Sequence, residues 1–330
     1  MRAIVASRAG GPEVLELATA PDPEPGPTDV LVEVAFAGVN FADVVMRRGE
    51  AMTPLPLVPG VEGSGRVIAI GSDVTDVAIG DRVAWAPVHE ASSIGSYAEL
   101  AVIGAAQTLP LPPDVTLLDA AALTLQGLTA HYLATEQYPL GPGTTVLVHA
   151  GAGGTGRTVV QWASHLGATV FATVSTDDKA AVARAAGAAH TIRYDEVDFV
   201  DEVRRLTEGA GVNYIVDGVG GATFRAGIRA LAERGRICVF GRAAGPPEKF
   251  SPMELFLKSL TVSGGQMTHF LRTREEVLRK ADDVWRGRRE GWLTPAIHGV
   301  YPLADAAGAH AALESRGTTG KLVLEVSGER

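Results

Sequence analysis

Hydrophobic and polar positions follow one pattern up to about residue 105 and a different one from residue 144 onward. In the first region, short apolar runs of strand type are separated by turns, as in Val30 to Phe36, Gly65 to Ile70 and Asp81 to Ala86. The run from Pro21 to Pro27 is too short for a low-complexity tract and reads as a stiff, extended connector. Leu109-Pro110-Leu111-Pro112-Pro113 closes this region, and an Ala/Leu-rich stretch from Leu117 to Ala134 predicts a helix leading into the next. From there, strand-like runs alternate with helical stripes. The strands are Val146 to Val148, Thr169 to Val174, His190 to Arg193, Asn213 to Val216, Arg236 to Phe240 and Leu260 to Ser263. The stripes are Val159, Trp162, Ala163 and Leu166 before Gly167, then Phe199, Val203 and Leu206, then Phe224, Ile228 and Leu231. Such alternation predicts an α/β fold with a doubly wound, six-stranded parallel sheet of Rossmann type.

The first of those strands runs into Gly151-Ala152-Gly153-Gly154-Thr155-Gly156 and then the first stripe. Three spaced glycines mean little in a chain with 39 of them, but a strand before and a helix after make a dinucleotide site. Gly151 is read as permitting the tight turn, Gly153 as letting backbone approach a pyrophosphate, and Gly156 as letting helix and strand pack closely. The helix N-terminus offers free N–H groups and partial positive charge to the phosphates. Ligands of such sheets lie beyond the carboxyl ends of the strands. That directs attention to Asp217-Gly218-Val219-Gly220 and Phe240-Gly241-Arg242, although a glycine that merely ends a strand accounts equally well for each. The chemistry implied is that of a nicotinamide or flavin.

An NAD site wants an acidic residue about 20 positions beyond the turn. Here the second strand ends in Thr173-Val174-Ser175-Thr176, followed by Lys179, which suits a 2′-phosphate and favours NADPH over NADH. Asp177 and Asp178 argue the other way. The alternative is an ordinary helix start, with Ser175 or Thr176 as cap and two carboxylates on the dipole.

Composition narrows the class. With 330 residues, 46% hydrophobic and 20% charged, the chain has material for two domains. A formal charge of −9 opposes binding to nucleic acid or an anionic membrane. No run approaches about 18 apolar residues, and the first residues lack the apolar core of a signal peptide, so a cytoplasmic location is expected. Cys238 is the only cysteine, which rules out an intrachain disulfide and a multi-cysteine zinc site. Its neighbours Ile237, Val239 and Phe240 mark it as a core thiol.

Several ordered motifs converge on one family. Gly38-Val39-Asn40-Phe41-Ala42-Asp43, Val58-Pro59-Gly60-Val61-Glu62-Gly63-Ser64-Gly65-Arg66-Val67, Gly80-Asp81-Arg82-Val83 and Gly95-Ser96-Tyr97-Ala98-Glu99 are among them. With the glycine motif, Gly187-Ala188, Val216-Asp217 and the run from Ala309-His310 through Arg316 to Lys321, they resemble the medium-chain dehydrogenase/reductase superfamily. Within it the chain is similar to the zinc-independent quinone oxidoreductases over essentially its whole length. The resemblance implies a GroES-like β-rich catalytic domain (residues 1–123 and 266–330), an inserted Rossmann domain (residues 124–265), an active cleft at their junction and a homodimer joined through the strand near Leu260 to Gly264. Zinc-dependent relatives carry cysteine where Asn40 stands and histidine where Val61 stands, so no catalytic metal is expected. The resemblance further places Asn40 near the nicotinamide, with Phe240 and Gly241 close to it, and Val219 at the end of the fourth strand is read as touching the cofactor. The resemblance assigns Lys179, Tyr194 and Arg316 to the 2′-phosphate, beside the Ser175 hydroxyl already read from the strand end.

Val45, Ala51 and Gln126 fall at the implied substrate pocket. Many members carry tyrosines at the positions of Val45 and Ala51, so this pocket should be more apolar and lack a phenolic donor. The proton source is then unassigned; His89, His131 and His269 have suitable chemistry, and solvent would also serve. The expected reaction is hydride transfer from NADPH to a quinone. One alternative is an NADPH-dependent alkenal, enone or enoyl-thioester reductase, and another, of a different class, is a non-catalytic NADPH-binding structural or sensory protein.

Overall fold

The computed structural model describes residues 1–51, 53–88 and 95–329. The chain divides into two compact units, Met1–Gln126 with Leu271–Arg330, and Gly127–Phe270.

The first unit opens with seven strands: β1 (Arg2–Ala6), β2 (Leu15–Thr19), β3 (Asp29–Val39), β4 (Glu62–Ile70), β5 (Arg82–Trp85), β6 (Leu100–Gly104) and β7 (Thr108–Pro110). The long strand β3 is its spine, pairing antiparallel with β4 and β6. Alternation along β3 explains this: Val30, Val32 and Val34 point into one core with Val83, Trp85 and Ile103. Helix α1 (Phe41–Arg47) begins directly after β3, with Asn40 as its N-cap residue. Asp43 accepts the Asn40 amide at 2.8 Å, the backward-reaching half of a capping box. Helix α2 (Leu117–Tyr132) then carries the chain onward, and a π-helical turn over Leu133–Gln137 replaces the end of the single helix expected to Ala134.

The second unit holds strands β8 (Thr145–Val148), β9 (Thr169–Val174), β10 (His190–Arg193), β11 (Val212–Asp217), β12 (Leu231–Val239) and β13 (Thr261–Gly264). Their order is β10-β9-β8-β11-β12-β13 and every pairing is parallel, as the alternating pattern predicts. Leu147, Phe171, Ile192, Ile215 and Ile237, one from each of five strands, share a core with Val203, Phe224 and Ile228 from the helices. Each such burial is worth about 1.5–3 kcal/mol. The helices are α3 (Gly154–His165), α4 (Asp177–Ala185), α5 (Phe199–Leu206) and α6 (Ala222–Ala230). Gly167 follows α3 at φ +87°, a conformation that glycine adopts without strain. One stripe residue is corrected: Leu231 is buried, but it is extended and starts β12 instead of ending α6. Arg204 and Lys258 donate to the Leu231 carbonyl, which takes the place of a continued helical turn.

The chain returns to the first unit with α7 (Arg274–Glu290), β14 (Ile297–Pro302), α8 (Ala306–Glu314) and β15 (Lys321–Glu325). Strand β15 pairs antiparallel with β3 and parallel with β14. Among the described residues no helix is long and apolar enough to cross a membrane.

Candidate active site

The turn between β8 and α3 is shaped by close packing. A Cβ on Gly156 would lie 2.3 Å from the Ala150 carbonyl oxygen, and one on Gly151 would lie 2.6 Å from the Ala172 Cβ in β9. On Gly153 the nearest atom would be 3.3 Å away. The left-handed residue of the turn is Ala150, at φ +53°, so the reversal expected of Gly151 falls one residue earlier and Gly151 serves contact with the neighbouring strand. Gly153 is the N-cap residue and brings no side chain to cap the helix, so the first turn of α3, Gly154-Thr155-Gly156, presents its amides without a side-chain acceptor.

Behind this turn lies His149, buried, with Nδ1 3.0 Å from Thr173 Oγ1 and its ring edge-on to Phe199. Burial lowers its pKa, and the carboxylate of Asp217 opposes that shift. Asp217, at the end of β11, is fully buried and organises the next loop. It accepts from the amides of Val219 (2.8 Å) and Gly220 (2.9 Å) and from Thr223 Oγ1 (3.1 Å). Phe240 donates its amide to the Asp217 carbonyl, and a Cβ on Gly241 would meet the Gly218 oxygen at 2.7 Å. Val219, Phe240 and Gly241 are thus brought together. Asp217 itself was legible as the last residue of an apolar strand beside two glycines.

The ends of β9 and β10 form a corner. Parallel register sets Arg193 opposite Val174, so Ser175 and Tyr194 are neighbours, and the Tyr194 amide donates to the Val174 carbonyl. Lys179 Nζ is 3.3 Å from Ser175 Oγ, and Tyr194 is 53% exposed. Thr176, not Ser175, caps α4 through the Lys179 amide, which leaves the Ser175 hydroxyl to the corner. Arg316 belongs to the other unit, where it is exposed at φ +59° just after α8.

Asn40 sits in a buried polar cluster of the first unit. Lys321 Nζ donates to Asn40 Oδ1 and to Glu62 Oε2, both at 2.6 Å, and Lys321 and Glu62 are each no more than 1% exposed. Asn40 Nδ2 donates to the Gly38 carbonyl and to Glu62 Oε2, each at 3.1 Å. Both side-chain N–H groups are engaged, so Asn40 has only acceptor capacity left on Oδ1. A second chain of bonds starts at Asp43, which accepts from the amides of Asn40 and Val61 and from Tyr97 Oη. Tyr97 Oη is 3.0 Å from His310 Nε2, and Arg47 bridges His310 Nδ1 and the Glu314 carboxylate. Burial raises the Asp43 pKa to about 6, and burial with the Arg47 charge lowers that of His310 to about 4. Glu62, Asp43, Tyr97, His310 and Lys321 all lie inside motifs quoted from the sequence, but nothing in one dimension showed that they meet.

The implied pocket residues are spread over two helices: Val45 half-buried on α1, Ala51 half-buried after it, and Gln126 buried on α2. His131 is buried edge-on against Trp162, His269 is exposed, and His89 lies outside the described residues. Cys238 is buried in β12, and burial raises its thiol pKa.

Residues 26–113 match the alcohol dehydrogenase GroES-like domain, and residues 154–283 match the zinc-binding dehydrogenases. The chain is 38% identical to the quinone oxidoreductase of Pseudomonas aeruginosa over 317 residues, 96% of each protein. It belongs to the quinone oxidoreductase family of the medium-chain dehydrogenase/reductases. Another relative is the 2-haloacrylate reductase of a Burkholderia species, 34% identical over 98% of each chain. Among solved members, Escherichia coli quinone oxidoreductase complexed with NADPH superposes with a TM-score of 0.93 at 34% identity, over 98% of this chain and 100% of that one. A mycobacterial protein complexed with NADPH does so with a TM-score of 0.94 at 42% identity, over 98% and 100%. Although the second family model is named for zinc, the oxygens beside Asn40 do not suit a metal ion here. Asn40 Oδ1 and Glu62 Oε2 already hold the Lys321 ammonium, and among the described residues no group of three or more His, Cys, Asp or Glu could hold a metal.

Proposed function

We propose that this protein is an NADPH-dependent, zinc-independent quinone oxidoreductase. The observation that carries the cofactor reading is the end of β9, where Ser175 and Lys179 stand 3.3 Å apart at the place an NAD site keeps for a carboxylate. Gly153, less crowded than Gly151 and Gly156, opens a cradle for a pyrophosphate at the uncapped start of α3. Gly151 through Gly156, Val219, Phe240 and Gly241 would hold the dinucleotide, with Ser175, Lys179 and Tyr194 on its 2′-phosphate. Bound NADPH supplies the hydride.

The protein's own part is positioning and shielding. Asn40, with its donors engaged, offers Oδ1 as a fixed acceptor for an N–H or O–H group near the nicotinamide. The Lys321 ammonium supplies the positive charge beside Asn40 that supports a metal-free site. Val45, Ala51 and Gln126 would bound a largely apolar substrate pocket. Solvent can supply the proton that the reduced product takes up.

A second reading, reduction of the double bond of an α,β-unsaturated carbonyl compound, is favoured by the apolar Val45 and Ala51 and by the kinship with 2-haloacrylate reductase. Initial rates of NADPH oxidation with 1,4-quinones and with α,β-unsaturated aldehydes, ketones and thioesters separate the two. The highest kcat/KM with a quinone supports the first reading, a tenfold advantage for an enone supports the second, and tight NADPH binding without turnover defeats both.

We further propose a homodimer. Strand β13 lies at one edge of its sheet, and the turn before it exposes Met253, Phe256 and Leu257 by 68%, 71% and 89%. An open edge beside exposed apolar side chains is a surface for a second copy of the chain.

A further inference from the structure

The corner at the ends of β9 and β10 carries more carboxylates than cations, which works against a phosphate. Residues 175–179 and 193–196 hold four carboxylates, Asp177, Asp178, Asp195 and Glu196, against two cations, Lys179 and Arg193. Arg193 gathers three of the four. Its Nη1 lies 2.7 Å from Asp177 Oδ1, its Nε and Nη2 grip Asp195 at 2.9 and 2.8 Å, and Nη2 is 3.0 Å from Glu196. Asp177 is two residues from Ser175 and two from Lys179, on the first turn of α4, and its side chain is 92% exposed. A free carboxylate there would face the same solvent volume as the Ser175 hydroxyl and the Lys179 ammonium.

We infer that Arg193 sets the cofactor specificity of this corner by holding Asp177 aside and neutralising it, so that Ser175, Lys179 and Tyr194 accept a doubly negative 2′-phosphate. Arg193 is a positioning residue: it acts through Asp177, not on the nucleotide. An exposed ion pair contributes little to stability. Its effect on a nearby dianion is different, because removing one cation leaves one positive charge against four negative ones. The inference rests on the NADPH reading.

The test uses the whole protein and two probes, 2′,5′-ADP, which carries the 2′-phosphate, and 5′-AMP, which lacks it. In Arg193→Gln, binding of 2′,5′-ADP should weaken by about tenfold at low ionic strength while 5′-AMP is unchanged, and added salt should shrink the difference. Adding Asp177→Asn to Arg193→Gln should recover most of the loss. If Arg193→Gln weakens both probes equally, or neither, the residue is only structural or idle and the inference fails. If Asp177→Asn recovers nothing, Arg193 meets the phosphate directly and the route through Asp177 is wrong. Wild-type protein that binds 5′-AMP as tightly as 2′,5′-ADP would overturn the NADPH reading itself, an outcome seen before any variant is made.

Discussion

Arg47 sets the tautomer of His310. The guanidinium has no acceptor, so at 3.2 Å from His310 Nδ1 it donates, and the ring proton must sit on Nε2, 3.0 Å from Tyr97 Oη. The Tyr97 hydroxyl is then free to donate to Asp43 Oδ2 at 3.2 Å. Burial disfavours a charged ring, and a second proton on His310 would also point at Arg47, so its pKa falls to about 4.

The pH dependence of stability follows. The folded pKa of His310 is depressed below its ordinary 6.5, so its contribution is complete above pH 6.5 and is lost as pH falls through about 4. Asp43 runs the other way: its pKa is raised to about 6, so its contribution is complete below its ordinary 3.8 and is lost as pH rises through 6. The stability gap between wild type and His310→Gln should therefore narrow by about 3 kcal/mol between pH 7 and pH 4. Urea unfolding across that range checks it, and a pH-independent gap would refute the depressed His310 pKa.

The glycines of the cofactor turn should separate by function. Gly156→Ala drives a Cβ into the Ala150 carbonyl and should cost about 1–3 kcal/mol of stability. Gly153→Ala meets the same oxygen only at 3.3 Å, a contact relieved by a small shift, so it should cost about 1 kcal/mol or less and should still weaken NADPH binding. Thermal melts with and without NADPH measure both effects. Equal destabilisation by the two changes would contradict the packing described here.

Lys321 and Glu62 form an ion pair excluded from water. Removing either partner alone, by Lys321→Met or Glu62→Gln, should cost about 3–5 kcal/mol, because the other charge is left buried. The double variant should be more stable than either single one, since it leaves no unpaired buried charge and Gln keeps an acceptor for the Leu125 amide. A double-mutant cycle by denaturant unfolding decides; simple additivity would mean that the two charges do not depend on each other.

The exposed Phe256 and Leu257 give the dimer its test. Phe256→Glu with Leu257→Glu should convert a dimer to monomers in sedimentation equilibrium, with the melting temperature of the monomer little changed. Wild-type protein that sediments as a monomer at micromolar concentration would exclude the proposed surface.

Much of the second unit was readable because its signals are local. A buried parallel strand such as Val146 to Val148 announces itself by composition, and the stripe of α3 by its period. The end of α6 was misread at Leu231 because an apolar residue at helical spacing is equally apolar in a strand, and the side chains of Arg204 and Lys258 that hold its carbonyl come from elsewhere in the chain. The Ser175 and Lys179 pair was visible in sequence, whereas the role of Arg193 was not, since its partner Asp177 is 16 residues away.

The sequence by itself determined the alternation of strands and helices, the dinucleotide turn and the family, because periodicity, glycine spacing and ordered motifs are properties of neighbouring residues. Tertiary structure decided which charges meet. Lys321 reaches Asn40 across 281 positions and His310 reaches Tyr97 across 213, joined only because β15 pairs with β3 and α8 packs into the same core. Protonation, tautomer and the donors left for a ligand all follow from those pairings. Electrostatic interaction depends on distance in space and on burial, and neither is written in the order of residues along the chain.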